Sequence, residues 1–149
     1  MKIAITGGTG LVGTKLTNIL KAHGHDIIIL TRSTNDSKDG IEYVQWLADE
    51  ATPEIYLEGI DAIVNLAGVS LNEGRWTDER KAAIYNSRQD ATNEVLRIIR
   101  ALEKKPRVLV NASAIGIYPA SQQAEYTEQS TEQAHDFLGK TVKMWEGLA

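Results

Sequence analysis

An α/β fold built on a parallel, doubly wound sheet is predicted by three features of this 149-residue chain. Short β-branched runs alternate with helical stretches from one end to the other, the pattern of successive βαβ units. Ile27, Ile28, Ile29 and Leu30 follow one another without a polar break, which suits a strand covered on both faces. Between the first strand and the first helix lies a glycine-rich turn, Gly7 to Gly13, where a Rossmann-type domain holds a dinucleotide pyrophosphate.

Lys2 to Thr6 reads as the first strand and Leu11 to His23 as the first helix, ended by Gly24. Leu11, Val12, Leu16, Ile19 and Leu20 fall on one face of that helix, the expected core-facing stripe. Asp26 to Thr31 is the second strand. Ser33 to Gly40 is a polar loop with strong turn chemistry, and Ile41 to Trp46 a weaker third strand. A short polar-rich crossover leads to a fourth strand, Asp61 to Leu66. Thr77 is placed to cap a helix whose first turn carries Asp78 and Glu79, charges that suit a helix N-terminus. That helix runs to about Gln89, and Ala91 to Leu102 continues or restarts it, with Val95, Leu96, Ile99 and Leu102 on one face. Arg107 to Ala112 is the fifth strand, and a last helix starts near Ala134.

A sheet of this type carries about six strands or more, in the order 3-2-1-4-5-6. About five are legible here, with no linker, repeat or low-complexity tract. The expectation is one Rossmann-type dinucleotide-binding domain over residues 1–149, truncated after about five strands and lacking its substrate-binding part.

Apolar residues make up 42% and charged residues 24%, which argues against disorder. A formal charge of −4 gives nucleic acid no general attraction, and no like-charge block suggests a membrane-binding patch. No apolar run approaches the roughly 18–20 residues of a membrane span. The absence of cysteine excludes a disulfide scaffold and thiol ligands, and fits a reducing cytosol. The chain enters a strand directly after Met1, without a signal-peptide pattern, so a cytoplasmic location is expected. His23 and His25 flank Gly24 with no third ligand converging on them, so no metal site is expected.

Gly8, Gly10 and Gly13 satisfy G-x-G-x-x-G, while Gly7, Gly10 and Gly13 satisfy G-x-x-G-x-x-G. In either register glycine permits the tight turn, its missing side chain at Gly10 lets backbone amides approach a pyrophosphate, and Gly13 lets helix and strand pack closely. Thr9, Leu11 and Val12 complete the loop, and the helix N-terminus adds unpaired donors and partial positive charge. No Lys-Ser/Thr pair follows at the offset of a P-loop. About 20 residues beyond the motif, an Asp or Glu would bind the ribose 2′-OH and select NAD. Thr31-Arg32-Ser33 stands there, and the Arg32 guanidinium with the Ser33 hydroxyl suits a 2′-phosphate. NADP is therefore favoured, with NAD left open.

With these residues, the chain resembles the extended, atypical short-chain dehydrogenase/reductase superfamily. Thr6-Gly7-x-x-Gly10-x-x-Gly13 is similar to its cofactor motif, and Asn65-Leu66-Ala67-Gly68 to its Asn-x-Ala-Gly segment beside the cofactor. Gly74-Arg75-Trp76-Thr77, Asn86-Ser87-Arg88 and Asn111 to Tyr118 are similar to the epimerase-family proteins once loosely named cell-division inhibitors, as are Asp136-Phe137-Leu138 and Trp145-Glu146. The resemblance covers essentially the whole chain. It implies a protein about twice this length, similar to nucleoside-diphosphate-sugar epimerases, with a further C-terminal domain.

The resemblance also implies a Tyr-x-x-x-Lys dyad assisted by a Ser or Thr. Ser113 matches the supporting serine, and Tyr118 lies in the loop after the fifth strand within reach of a substrate. Registering Trp145-Glu146 on the family's last helix puts Leu138 at the tyrosine position and Val142 at the lysine position, so the dyad is absent. Asn86 resembles a helix asparagine that stabilises the site through a backbone-bound water. Arg75 and Arg88 are candidates for an anionic substrate, Trp76 for stacking, and Glu125, Glu128, Glu132 and Asp136 make the segment after the fifth strand acidic. Two functions follow: an NADP-dependent oxidoreductase or epimerase-like enzyme acting on a small polar or nucleotide-sugar-like substrate, or a non-catalytic dinucleotide-sensing or scaffold protein. An exposed sheet edge leads to the expectation of a homo-oligomer.

Overall fold

The computed structural model describes residues 1–33, 37 and 39–149. Five parallel strands, β1 (Lys2–Thr6), β2 (Asp26–Thr31), β3 (Ile41–Gln45), β4 (Ala62–Asn65) and β5 (Val108–Asn111), form one sheet in the order β3-β2-β1-β4-β5. The helices are α1 (Leu11–Ala22), α2 (Glu54–Leu57), α3 (Asp78–Ala101) and α4 (Phe137–Leu148), with a 3₁₀ turn at Ile115–Ile117. This is the expected doubly wound arrangement, and its chain reversal falls between β1 and β4, where ligands of open α/β sheets bind. Residues 34–36 and 38 of the predicted polar loop lie outside the described residues.

The sheet is buried on both faces. Ala4, Ile28, Leu30 and Ile63 point toward α2 and α3, where Leu57, Ala91, Val95 and Ile98 cover them. Ile3, Ile5, Ile27, Ile29 and Val64 point the other way and meet Leu16 and Leu20 of α1. Alternation between two covered faces is why β2 reads as an unbroken apolar run.

Several elements depart from the sequence reading. The α1 stripe is narrower than its periodicity suggests: Leu11 (83% exposed), Val12 and Ile19 face outward. Small residues make the closest approach instead, because Gly13 and Thr17 are the buried positions of α1. The polar crossover contains the one-turn helix α2, whose Leu57 enters the core. Gln89 and Asp90 do not interrupt α3, which is continuous over 24 residues, capped by Thr77 accepting from the Arg80 amide. Its core face is carried by Ile84, Ala91, Val95 and Ile98, while Leu96 and Ile99 are only half-buried. The last helix begins at Phe137 and not near Ala134, because the Asp136 carboxylate accepts from the Gly139 amide at 2.8 Å and sets its first turn.

β5 is an edge of the sheet. Val108 and Val110 pair with Ala62 and Val64 on the α1 side and are 50% and 49% exposed, since α1 covers only the β1–β2 end of that face. Among the described residues no helix is long and apolar enough to cross a membrane.

Candidate dinucleotide site and adjoining cavity

Parallel register brings Thr6, Asn65 and Asn111 side by side at the carboxyl ends of β1, β4 and β5. The Thr6 hydroxyl donates to Asn65 Oδ1 at 2.6 Å and accepts from the amides of Leu66 and Ala67, both at 3.1 Å. Asn65 Nδ2 donates to Asn111 Oδ1 at 2.7 Å and Thr92 Oγ1 at 3.3 Å, which ties α3 and β5 to the same point. Thr6, Asn65 and Thr92 are buried, so each polar group requires its partner. The result is a fixed shelf, Leu66-Ala67-Gly68, beside the glycine loop.

The glycines of that loop divide into packing and open positions. Gly7 has φ of 65°, and a Cβ there would lie 2.8 Å from the Leu66 carbonyl. A Cβ on Gly8 would press on Ile29, and one on Gly13 would overlap the Gly7 carbonyl oxygen. Gly10 differs: a Cβ there would meet only that oxygen, at 3.3 Å, so the chain leaves the space above it free. Gly10 is also the N-cap of α1, with no side-chain cap and no acidic residue in the first turn. By contrast, α3 and α4 are capped by Thr77 and Asp136. The amides of Leu11, Val12 and Gly13 thus belong to a helix N-terminus that no side chain among the described residues satisfies, beside an open glycine. These donors fit a pyrophosphate.

Thr9 is exposed on the loop. Arg32 and Ser33 are exposed just beyond β2, where Gln45 Nε2 donates to the Arg32 carbonyl at 3.3 Å and the Ser33 amide donates to Thr31 Oγ1 at 3.3 Å. Among the described residues the Arg32 guanidinium forms no ion pair.

Beyond the shelf, α3 holds the chain by two adjacent side chains. Ser87 Oγ accepts from the Val69 amide at 3.0 Å, and Arg88 Nη1 donates to the Val69 carbonyl at 3.2 Å and to Ile84 at 2.9 Å. Asn86 is exposed, and the neighbouring Ser87 and Arg88 do the holding. Arg88 lies over Trp145, with Cζ 5.2 Å from the ring centroid, and burial lowers its pKa. Trp76 packs edge-on against Phe137 and donates from Nε1 to the Leu71 carbonyl at 2.9 Å.

A cavity of about 770 Å³ opens between α3, α4 and the segment after β5, walled by Leu71, Ile84, Ile115, Leu138, Val142 and Trp145. Ser113, Tyr118 and Arg88 also line it. The Ser113 hydroxyl donates to the Glu146 carboxylate across 33 residues of sequence. Tyr118 stacks on Tyr126 with centroids 4.9 Å apart and donates to the Thr127 carbonyl at 2.9 Å. Leu138 sits against Gly116, and Val142 is buried. An adjoining groove of about 620 Å³ shares Ser113 and Tyr118 and carries Glu128, Glu132 and Glu146.

Thr6, Thr92, Ser87 and Glu146 belong to this site although the sequence reading gave none of them a role of its own. Thr6, Ser87 and Glu146 each lie within a sequence motif named above, so each carried a local signal; Thr92 and the Ser113–Glu146 contact carried none.

Known proteins resemble this chain in sequence and fold along nearly its whole length. The chain is 45% identical over 147 residues to the epimerase family protein YfhF of Bacillus subtilis, covering 98% of this chain and 48% of that protein. It is 44% identical to the epimerase family protein SH2119 of Staphylococcus haemolyticus, covering 97% of this chain and again 48% of the relative. The chain therefore spans about half the length of these relatives. The crystal structure of the human epimerase family protein SDR39U1 with NADPH superposes with a TM-score of 0.86 at 31% identity, over 100% of this chain and 48% of that one. A nucleoside-diphosphate sugar epimerase from Corynebacterium glutamicum gives 0.74 at 32% identity, over 99% of this chain and 30% of that one. The sequence model of the NAD dependent epimerase/dehydratase family matches residues 3–137, glycine loop and shelf included, and the chain belongs to that family.

Proposed function

We propose that the chain is the cofactor-binding half of an epimerase-like oxidoreductase and binds NADP in preference to NAD. The observation that carries this reading is the uncapped N-terminus of α1 beside Gly10, with the space above that glycine free. Gly7 to Gly13, Thr9, Leu11 and Val12 included, would hold the pyrophosphate, and Leu66, Ala67 and Gly68 would line the nicotinamide side. Arg32 and Ser33 would meet the 2′-phosphate. Support comes from the human relative, crystallised with NADPH.

When bound, the nicotinamide supplies hydride exchange. Ser113 and Tyr118 would orient a carbonyl or hydroxyl of a small polar or nucleotide-sugar-like substrate in the cavity. On this reading residues 1–149 act as an incomplete domain, and turnover requires a substrate-binding part beyond them; the chain spans about half the length of its curated relatives. A non-catalytic, dinucleotide-sensing role is favoured by one observation: apolar Leu138 and Val142 occupy the α4 positions where the family resemblance expects Tyr and Lys. We further propose self-association through the β5 edge.

Calorimetric titration of the chain with NADPH and NADH tests the cofactor reading. Saturable NADPH binding, lost in Gly10→Val, is expected. Failure of both cofactors to bind, in this chain and in a relative of full length, would overturn it. NADPH consumption across carbonyl and nucleotide-sugar substrates, measured on the protein with its substrate-binding part present, separates the two roles, since silence with cofactor bound favours the sensing one.

A further inference from the structure

Arg88 is a half-buried guanidinium without a carboxylate partner. The ion pairs among the described residues belong to Arg80, Lys81 and Arg97, and none reaches Arg88. Its Nη1 is taken up by the carbonyls of Ile84 and Val69. Nη2 and Nε have no hydrogen-bond partner among the described residues. Backbone carbonyls carry no net charge, so the guanidinium stays uncompensated in a place where burying a charge is costly unless it is paired.

The position of this cation is unusual. A Cβ on Gly68 would come within 3.0 Å of Arg88 Cζ and 3.2 Å of both terminal nitrogens, so the guanidinium lies flat against the last residue of the shelf. Its other neighbour is Trp145, whose ring, with Leu71, Leu138 and Val142, makes the cavity wall apolar. Among the described residues Arg88 is the sole positive charge lining that cavity, and the sole negative one, Asp136, is engaged as the cap of α4. The adjoining groove is acidic through Glu128, Glu132 and Glu146 and repels an anion from that side. Val142, where the family resemblance expects a lysine, lines the same cavity, so the cation of this pocket comes from α3 and not from α4.

We propose that Arg88 is an anion-binding residue of the substrate pocket, taking the carboxylate or phosphate of a small molecule whose body packs on the apolar wall beside Trp145. The geometry suits an oxyanion better than a hydroxyl, because the remaining edge of a guanidinium offers two parallel donors to two oxygens. The inference rests on the cofactor reading above only in calling this ligand a substrate.

Trp145 makes the test optical. Benzoate, phenyl phosphate and neutral benzamide are titrated into the chain, read by tryptophan fluorescence and independently by calorimetry. Benzoate or phenyl phosphate should bind at least about ten-fold more tightly than benzamide, the discrimination expected of a charged hydrogen bond. The tighter of the two identifies the anion. Arg88→Lys should bind several-fold more weakly and Arg88→Met at least about ten-fold more weakly, while Arg100→Met on the exposed end of α3 binds like the parent. Equal affinity for benzoate, phenyl phosphate and benzamide in the parent chain overturns the proposal without recourse to any variant. So does a folded Arg88→Met chain that retains anion binding. NADPH titrated separately distinguishes the two readings: NADPH binding without anion binding sinks only the Arg88 proposal, and anion binding without NADPH sinks only the cofactor reading.

Discussion

The Thr6 hydroxyl bonds to the Asn65 carboxamide across β1 and β4 at 2.6 Å, in the interior and directly beneath the glycine loop. That one oxygen also accepts the amides of Leu66 and Ala67. The shelf is therefore tied to the strand end from which the glycine loop departs. The chain reversal between β1 and β4 opens a crevice, and the Thr6–Asn65 pair gives that crevice a fixed width.

Thr6→Val keeps the shape and removes the hydroxyl, leaving the Ala67 amide and Asn65 Oδ1 short of a partner. Unsatisfied buried groups of this kind cost about 1–3 kcal/mol each. A loss of about 2–3 kcal/mol is expected in urea unfolding, with weaker NADPH binding beside it. Thr6→Ser keeps the oxygen and should lose only about 1 kcal/mol for its methyl group. Equal losses in the two variants would remove the hydroxyl from the account.

Gly10 and Gly13 should separate folding from binding. Alanine at Gly13 drives a methyl into the Gly7 carbonyl, an overpacking worth about 1–3 kcal/mol or more of stability. At Gly10 the methyl meets one backbone oxygen at 3.3 Å and alanine is a poorer N-cap than glycine, so thermal stability should fall by no more than about 1 kcal/mol, less than at Gly13. NADPH affinity should nonetheless fall at least about ten-fold, because the methyl occupies space reserved for the pyrophosphate. A Gly10→Ala chain that is stable and binds normally would place the cofactor elsewhere.

Arg32→Ala tests cofactor choice. Losing a charge-assisted bond to a 2′-phosphate removes about 1.5–3 kcal/mol, or roughly ten-fold to a hundred-fold in NADPH affinity, and leaves NADH untouched. A parallel fall for both cofactors would reassign Arg32 to loop structure, where its carbonyl already receives Gln45.

The strand order and the glycine loop were legible because they depend on local signals: apolar runs bounded by turns, and glycines at a fixed spacing. The α1 stripe was misread because periodicity identifies an apolar face without saying what covers it. Here the close contact is made by Gly13 and Thr17, which a hydrophobicity pattern discounts. Asp136 offered a cap signal that went unused, and α4 was begun too early in consequence. The Ser113–Glu146 contact was not legible at all, since it depends on how α4 folds back along the segment after β5. Arg88 stood out in the sequence only together with Arg75, as a candidate for an anionic substrate; its lack of a counter-charge, which sets it apart, is a fact of packing.

Asp61 carries a predicted pH dependence. Its Oδ2 accepts from the Lys2 amide at 2.9 Å, and this bond holds its pKa below the ordinary 3.8, with Arg107, the N-terminus and Lys104 adding to the effect. A carboxylate with a depressed folded-state pKa contributes stability that is fully present above the unfolded value. That contribution drains as pH falls below 3.8 and through the folded value. Asp61→Asn should therefore be less stable than the parent at neutral pH, with the gap closing only under strongly acid conditions. A gap that stayed constant from neutral to acid pH would show that the Lys2 bond does not depend on the charge.

The β5 edge predicts association. Its backbone donors and acceptors lie at the margin of the sheet, and Val108 and Val110 leave an apolar surface beside them that α1 does not reach. Such an edge pairs with another strand unless charge or cover prevents it. Light scattering should give a mass above that of one chain that rises with concentration. Val108→Lys with Val110→Lys should return a single-chain mass, since two cations on the edge oppose pairing, while NADPH binding at the glycine loop stays as in the parent. A parent chain that scatters as one chain at every concentration would mean that the edge is closed by a means other than self-pairing.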